Sequence, residues 1–128
     1  MDAIAQATGC VYKRFYSVGR NWIGGIHFVK EHPLFNGLPT NTAMGWPYQA
    51  LVHEGDKRLG FYLEGDEMIV GSYRTTPFCL GSTLGIIPYG KGRIIYSTLD
   101  VVDNLLSQEP AAEVARKLFC NMLSISNW

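Results

Sequence analysis

Residues 82–98, STLGIIPYGKGRIIYST, contain two apolar runs on either side of a glycine-rich turn. The runs cover residues 82–88 and 93–98, and the sequence Gly-Lys-Gly occupies residues 90–92. Glycine readily adopts the positive φ that a tight hairpin turn needs, whereas a phosphate-binding P-loop has longer glycine spacing and a following Ser or Thr. We therefore expect a hairpin, in which the β-branched second run is a central strand buried on both faces.

A hairpin pattern also occupies the middle of the chain. Residues 49–53, 59–63 and 68–73 are short apolar runs, separated by Glu-Gly-Asp at residues 54–56 and again at 64–66. Turn residues between such runs are typical of β-hairpins. Two turns of one kind in succession predict a β-meander, and the acidic side chains around the second turn are expected to be solvated.

Both ends of the chain carry helix patterns. Residues 2–7 are rich in alanine and precede Gly9. Residues 110–123 begin with Pro110, and their apolar side chains fall on one face of a helix. Proline is favoured at the start of a helix and glycine just after its end. We expect the C-terminal helix to cover the sheet, and residues 10–18 to form an edge strand.

Length and composition indicate one globular domain over residues 1–128, since 47% of the residues are hydrophobic and 17% are charged. Eleven Lys and Arg balance eleven Asp and Glu, which leaves no positive surplus for nucleic-acid phosphates or an anionic membrane. No apolar run approaches the roughly 20 residues of a membrane span, and the N-terminus lacks the pattern of a secretory signal. We expect a soluble domain without nucleic-acid or membrane partners, which is cytoplasmic if it is free-standing.

The cysteines do not form a metal-binding pattern. Cys10, Cys79 and Cys120 lie far apart, without a CxxC or CxxH pair. They fit buried free thiols in a reducing compartment, or one disulfide with one free thiol in an oxidising compartment. Cys79 has the bulky neighbours Phe78 and Leu80, whereas an exposed nucleophile on a sharp turn needs small ones, so a small hydrolase using Cys79 is only an alternative hypothesis.

Four residues are candidate ligand contacts. Trp22, Trp46 and Tyr48 occur in glycine- or proline-bearing stretches, where aromatic rings either stack on sugars or partner surfaces, or fill the ends of the core. His27 fits a half-buried strand position, with a ligand contact as the alternative. His32 precedes Pro33 and suits a turn. The pattern contains no catalytic set and no metal-ligand spacing, and we expect no cofactor.

Several segments together resemble a known family. They are KEHPLFNGLP at residues 30–39, Gly-Trp at 45–46, LGIIPYGKGRIIYSTLD at 84–100 and AEVARKL at 112–118. The sequence resembles the last part of a class I glutamine amidotransferase-like domain, and it is similar also to the trehalose-utilisation (ThuA-like) group. Such domains are attached to bacterial family 2 glycoside hydrolases of the beta-galactosidase kind. The likeness covers roughly residues 10–128.

The resemblance implies a partial flavodoxin-like α/β layered sheet, with antiparallel hairpins and a covering C-terminal helix. In that fold the nucleophile elbow would precede residue 1, and Asp100 and Asp103 stand without a catalytic histidine, so no active-site residue carries over to this chain. The resemblance therefore implies a non-catalytic accessory or interaction domain, joined to a glycoside hydrolase module in a longer chain. A small sugar- or ligand-binding protein is the alternative hypothesis.

A half sheet of this kind would leave unpaired backbone groups at its truncated edge. Such an edge needs a partner strand, a covering segment or a second copy of the chain. We expect either a homodimer through an exposed sheet edge or a sheet rearranged into a mostly antiparallel α+β form.

Overall fold

A computed structural model describes residues 2–9, 12–18, 27–52, 57–75 and 78–125. Within this part of the chain, seven strands form one sheet. The strands are β1 (Tyr12–Val18), β2 (His27–Val29), β3 (Thr42–Ala43), β4 (Lys57–Leu63), β5 (Glu67–Thr75), β6 (Phe78–Tyr89) and β7 (Gly92–Ser97). The α-helices are α1 (Asp2–Thr8) and α2 (Glu113–Ser124). Short 3-10 helices cover Pro33–Phe35, Trp46–Tyr48, Val102–Asn104 and Pro110–Ala112.

The sheet is built around β6. Its strands follow the order β1-β4-β6-β5-β2-β3, and β7 also pairs with β6. At twelve residues, β6 is long enough to pair with β5 along one edge, and with β4 and then β7 along the other. All the described pairs are antiparallel.

Short connections explain the antiparallel pairing. Two residues separate β5 from β6 and β6 from β7, and each of these pairs is antiparallel, whereas a parallel pair needs a crossover of a dozen residues or more. The structure is thus a mixed α/β fold with an antiparallel sheet and a C-terminal helix. The flavodoxin-like arrangement is not confirmed, because it is built from parallel strands.

The predicted hairpin at residues 82–98 is confirmed, but its burial is not as predicted. Tyr89 pairs with Gly92, and Gly90 has φ +57° in the turn between them. The second run is β7, which pairs with β6 alone among the described strands and exposes Arg93 and Ser97. The prediction of a central, doubly buried strand at residues 93–98 is wrong. The first run occupies that position, since residues 81–87 of β6 are all buried.

The predicted meander is also corrected. Residues 59–63 and 68–73 lie in β4 and β5, and Gly65 supplies the positive φ of their turn. These strands are not neighbours, however, because β6 lies between them. Residues 49–52 are turns rather than a strand, and the first predicted turn, at 54–56, lies outside the described residues.

The helix predictions at both ends are confirmed. Helix α1 ends at Thr8, directly before Gly9 with φ +70°, and α2 follows the 3-10 turn Pro110–Ala112. The predicted edge strand is β1, which stands at one end of the strand order. No helix in the described part of the chain is long and apolar enough to cross a membrane.

The core has two parts, on opposite faces of the sheet. Leu84 and Ile86 of β6 belong to the main cluster, which includes Leu118 of α2. Ile87, next in sequence, belongs to a smaller cluster against which Ile4 of α1 packs. Successive side chains of a strand point to opposite faces, so the two helices cover opposite sides of the sheet.

Candidate functional site

The structure separates the four predicted contact residues. Trp22 lies outside the described residues. His27 is buried in β2, with its Nδ1 3.4 Å from the hydroxyl of Thr83. Tyr48 is completely buried, whereas the side chain of Trp46 is 69% exposed. Of the three described residues, Trp46 alone presents a large side chain to solvent.

Local structure explains why Trp46 and Tyr48 differ. Gly45 precedes a 3-10 helix in which Pro47 supplies a fixed φ. In a helix with three residues per turn, positions two apart point in different directions. Tyr48 points inward, where its ring packs edge-to-face on Phe35 with centroids 5.9 Å apart, and Trp46 points outward.

The hydroxyl of Tyr48 fixes this orientation. It donates a hydrogen bond to the carbonyl oxygen of Pro39, and burial raises the pKa of Tyr48 to about 12. The phenol is therefore neutral at physiological pH and acts as a structural donor. The buried Tyr48 thus anchors the 3-10 helix Trp46–Tyr48 to the core, and the exposed Trp46 ring is accessible to a ligand.

Trp46 borders a groove of about 410 Å³, which we call the Trp46 groove. One wall comes from the segments around residues 37–38 and 46–49, and the other from the start of α2. Its lining includes Trp46, Pro47, Gln49, Pro110, Glu113 and Lys117. The groove therefore combines a flat aromatic face with amide, carboxylate and ammonium groups.

Hydrogen bonds hold the two walls together. The side-chain amide of Asn121 in α2 donates to the carbonyls of Leu34 and Asn36, at 2.8 and 3.0 Å. The amide of Asn104 donates to the carbonyls of Ala50 and Asp100, at 2.8 and 2.6 Å. Both wall segments are tied to the C-terminal part of the chain, so the groove is largely formed before any ligand arrives.

The charged groups of the groove are not equivalent. Glu113 forms an ion pair with Arg116, whose Nη2 and Nε lie 2.6 and 3.1 Å from Oε2 of the carboxylate. Arg116 also donates from Nη1 to the carbonyl of Ser107 at 2.6 Å. Lys117 is exposed, and a Cβ atom placed on Gly37 would lie only 2.5 Å from its Nζ. The ammonium therefore lies directly over the Gly37 backbone.

A larger cleft, of about 610 Å³, lies at the other end of α2 and is lined by His32, Asp66, Glu67 and Arg93. Nδ1 of His32 accepts the backbone N–H of Leu34 at 3.1 Å, so its proton sits on Nε2, 3.6 Å from Glu67. Burial lowers the pKa of His32; Glu67 raises it and Lys30 lowers it further, and burial is the largest of the three effects. His32 is thus a neutral cap of the 3-10 helix Pro33–Phe35, the turn role that the sequence predicts.

Asp66, in the same cleft, accepts hydrogen bonds from two buried hydroxyl groups. Ser82 donates to Oδ2 of Asp66 at 3.1 Å, and the hydroxyl of Tyr96 donates to the same oxygen. Burial, followed by the hydrogen bond to Asp66, raises the pKa of Tyr96. The acidic turn is therefore more than a solvated loop, because Asp66 closes a polar cluster that joins β6 and β7.

The structure does not test the hypothesis of a nucleophilic Cys79. Cys120 is a free thiol in α2, but it is exposed, so the expectation of a buried thiol is wrong for this cysteine. The structure gives the backbone of Cys79 in β6 but not its side chain, and Cys10 and His53 lie outside the described residues. Within the described residues, no group of three His, Cys, Asp or Glu side chains could hold a metal ion.

Sequence reasoning identified Trp46 but missed the opposite wall of its groove. Glu113 and Lys117 are one helical turn apart on the polar face of α2, which by itself indicates only a solvated surface. Nothing local to the sequence places this turn beside Trp46, because the two lie far apart in the chain. The sequence signal was limited to an aromatic residue flanked by glycine and proline.

Comparison with known proteins does not assign a family. No protein-family model matches the chain, and neither the curated proteins nor the solved structures give a significant match.

Proposed function

We propose that this chain is a non-catalytic accessory domain of a carbohydrate-active protein, and that it binds saccharide in the Trp46 groove. The observation that carries the proposal is the 69% exposed Trp46 on a preformed groove with polar side chains. An exposed indole offers an apolar face to the C–H groups of a pyranose ring. Gln49 and the charged groups of α2 supply donors and acceptors for sugar hydroxyls.

The larger cleft supports this choice by contrast. His32 accepts a backbone N–H with one ring nitrogen and faces Glu67 with the other, and Asp66 accepts hydroxyl groups from Ser82 and Tyr96. These groups have structural partners, which favours a structural role over acid-base chemistry. The Trp46 ring has no comparable packing, since most of its surface faces solvent.

The family resemblance is a second support and remains part of the proposal. The segments at residues 30–39 and 84–100 resemble motifs of amidotransferase-like domains that are attached to glycoside hydrolases, and a saccharide-binding groove would suit such a partner module. The antiparallel sheet favours the rearranged α+β form over a flavodoxin-like layer. No catalytic role follows from the resemblance for any residue.

Calorimetric titration with a panel of neutral oligosaccharides, at concentrations up to millimolar, tests the proposal. We expect saturable binding, and a loss of about twofold to tenfold in affinity for Trp46→Ala, because a stacked aromatic contact contributes about 0.5–1.5 kcal/mol beyond its buried area. Leu106→Ala is the matched control, since Leu106 is 92% exposed and does not line the groove. Equal affinities for the two variants would contradict the proposal.

A further inference from the structure

Lys117 is the unbalanced charge of the Trp46 groove. The two charged residues that line the groove are Glu113 and Lys117. The carboxylate of Glu113 is neutralised by Arg116 through two short contacts to the same oxygen. No carboxylate pairs with Lys117 among the residues the structure describes. The groove therefore has a net positive charge at the ammonium group.

The position of this ammonium is set by Gly37. Gly37 has φ +77°, a conformation that side-chain-bearing residues rarely adopt, and a Cβ there would lie 2.5 Å from Nζ of Lys117. The absence of a side chain leaves room for the lysine to cross the groove wall. Asn121, one helical turn further along α2, holds the adjacent carbonyl of Asn36 at 3.0 Å. The charge is thus placed on the groove, rather than extended away into solvent.

We propose that the Trp46 groove selects anionic saccharides, those that carry a uronic acid carboxylate or a sulfate ester. In this arrangement a pyranose ring stacks on Trp46 and its anionic group lies against Lys117. The ammonium is a compact point charge with three donors, which suits either anion. This inference rests on the proposed saccharide binding and adds the chemical class of the sugar.

Matched sugars separate the two proposals. Calorimetry compares a galacturonic acid trimer, a galactose trimer and a 6-sulfated galactose trimer on the wild-type chain. We expect the anionic trimers to bind up to about fivefold more tightly than the neutral one, since an exposed ion pair contributes at most about 1 kcal/mol. The two anionic sugars distinguish carboxylate from sulfate as the source of the charge. We also expect the preference to shrink in 0.5 M salt, because salt screens exposed charges.

Variants assign the preference to Lys117. Lys117→Gln should abolish the preference, so that this variant binds the anionic and the neutral trimers with equal affinity, whereas Lys117→Arg should keep the preference. Lys91→Gln is the control, because it removes a lysine charge in the exposed turn between β6 and β7. We expect this variant to bind all three trimers with the affinity of the wild-type chain. Circular dichroism verifies that each variant is folded.

The experiment distinguishes a failure of saccharide binding from a failure of the anionic preference. If no trimer binds the wild-type chain, the proposed function itself is wrong. If the trimers bind with equal affinity, or if Lys117→Gln keeps the anionic preference, saccharide binding stands and the role of Lys117 is overturned.

Discussion

Gly85 shows how a single missing atom permits the packing of two strands. Gly85 of β6 is the cross-strand partner of Tyr96 of β7. A Cβ on Gly85 would overlap the Tyr96 hydroxyl and contact its ring. The aromatic side chain therefore lies over its own glycine partner, and from there it donates to Asp66. Glycine at this position is a requirement of side-chain packing rather than of backbone conformation.

Gly85→Ala is expected to destabilise the protein by about 1–3 kcal/mol, the usual cost of adding a methyl group to a closely packed site. Urea unfolding measures this change. The control is Gly92→Ala, where the nearest neighbour of an added Cβ is a backbone oxygen at 3.8 Å, and a change within about 0.5 kcal/mol is expected. Equal losses in the two variants would show that the Tyr96 contact does not determine the cost.

His32 is expected to make stability depend on pH. Its pKa is lowered in the folded protein from the ordinary value of 6.5, so the unfolded chain binds the proton more readily. The contribution of His32 to the free energy of unfolding is therefore fully present above pH 6.5. It is lost as the pH falls through 6.5 towards the lower pKa that His32 has in the folded protein. Urea midpoints at pH 7.5 and 5.5 measure the loss.

His32→Asn serves as the comparison, because asparagine keeps an acceptor for the N–H of Leu34 but does not titrate in this range. We expect this variant to lose less stability than the wild-type chain between the two pH values. The difference isolates His32 from the other histidines. Identical pH dependence in both proteins would remove His32 as its source.

At the scale of elements, α2 stabilises the sheet through a narrow apolar face. Val114, Ala115 and Leu118 are buried in the main cluster, whereas Leu123 near the end of the helix is 67% exposed. The helix thus buries one stripe in the main cluster and leaves Lys117 on its exposed face. This division allows the same helix to support the core and to form a wall of the Trp46 groove.

Leu118→Ala is expected to cost about 2–5 kcal/mol, because it leaves a cavity at a fully buried position. Leu123→Ala makes the same chemical change at an exposed position and should cost well under 1 kcal/mol. Thermal or urea unfolding of both variants provides the comparison. A small effect at Leu118 would contradict close packing of this side chain in the main cluster.

At the scale of the whole molecule, the two ends of the sheet differ. The strand order ends on one side at β3, of two residues, and on the other at β1, of seven residues. Unpaired backbone groups along a long edge strand favour pairing with another strand. β7, of six residues, also pairs with β6 alone among the described strands, so β1 and β7 are the two edges long enough for the homodimer that the sequence predicts.

Sedimentation velocity over a wide concentration range tests the dimer. A homodimer gives the mass of two 14.3 kDa chains at high concentration and dissociates on dilution. A monomer mass at every concentration would reject pairing through either edge. It would leave the groove proposal untouched, because the groove is formed by residues of one chain.

Only one side of the Trp46 groove could be predicted from the sequence. Trp46 could be identified because an aromatic residue between glycine and proline is a local pattern. Lys117 could not, since its sequence context is that of an ordinary solvent-facing helix position. Asp66 was predicted to be solvated, because a turn of this composition contains no signal that Tyr96 and Ser82 reach it from two other strands.

The sequence by itself determined the local elements. The hairpin turn at Gly90, the helix that follows Pro110 and the short helix before Gly9 all follow from backbone preferences and side-chain periodicity within a few residues. Only the tertiary structure decided that β6 rather than β7 is the central strand, that β6 lies between β4 and β5, and that α2 meets the Trp46 segment. These features depend on which distant surfaces bury one another, and local preferences cannot specify that choice.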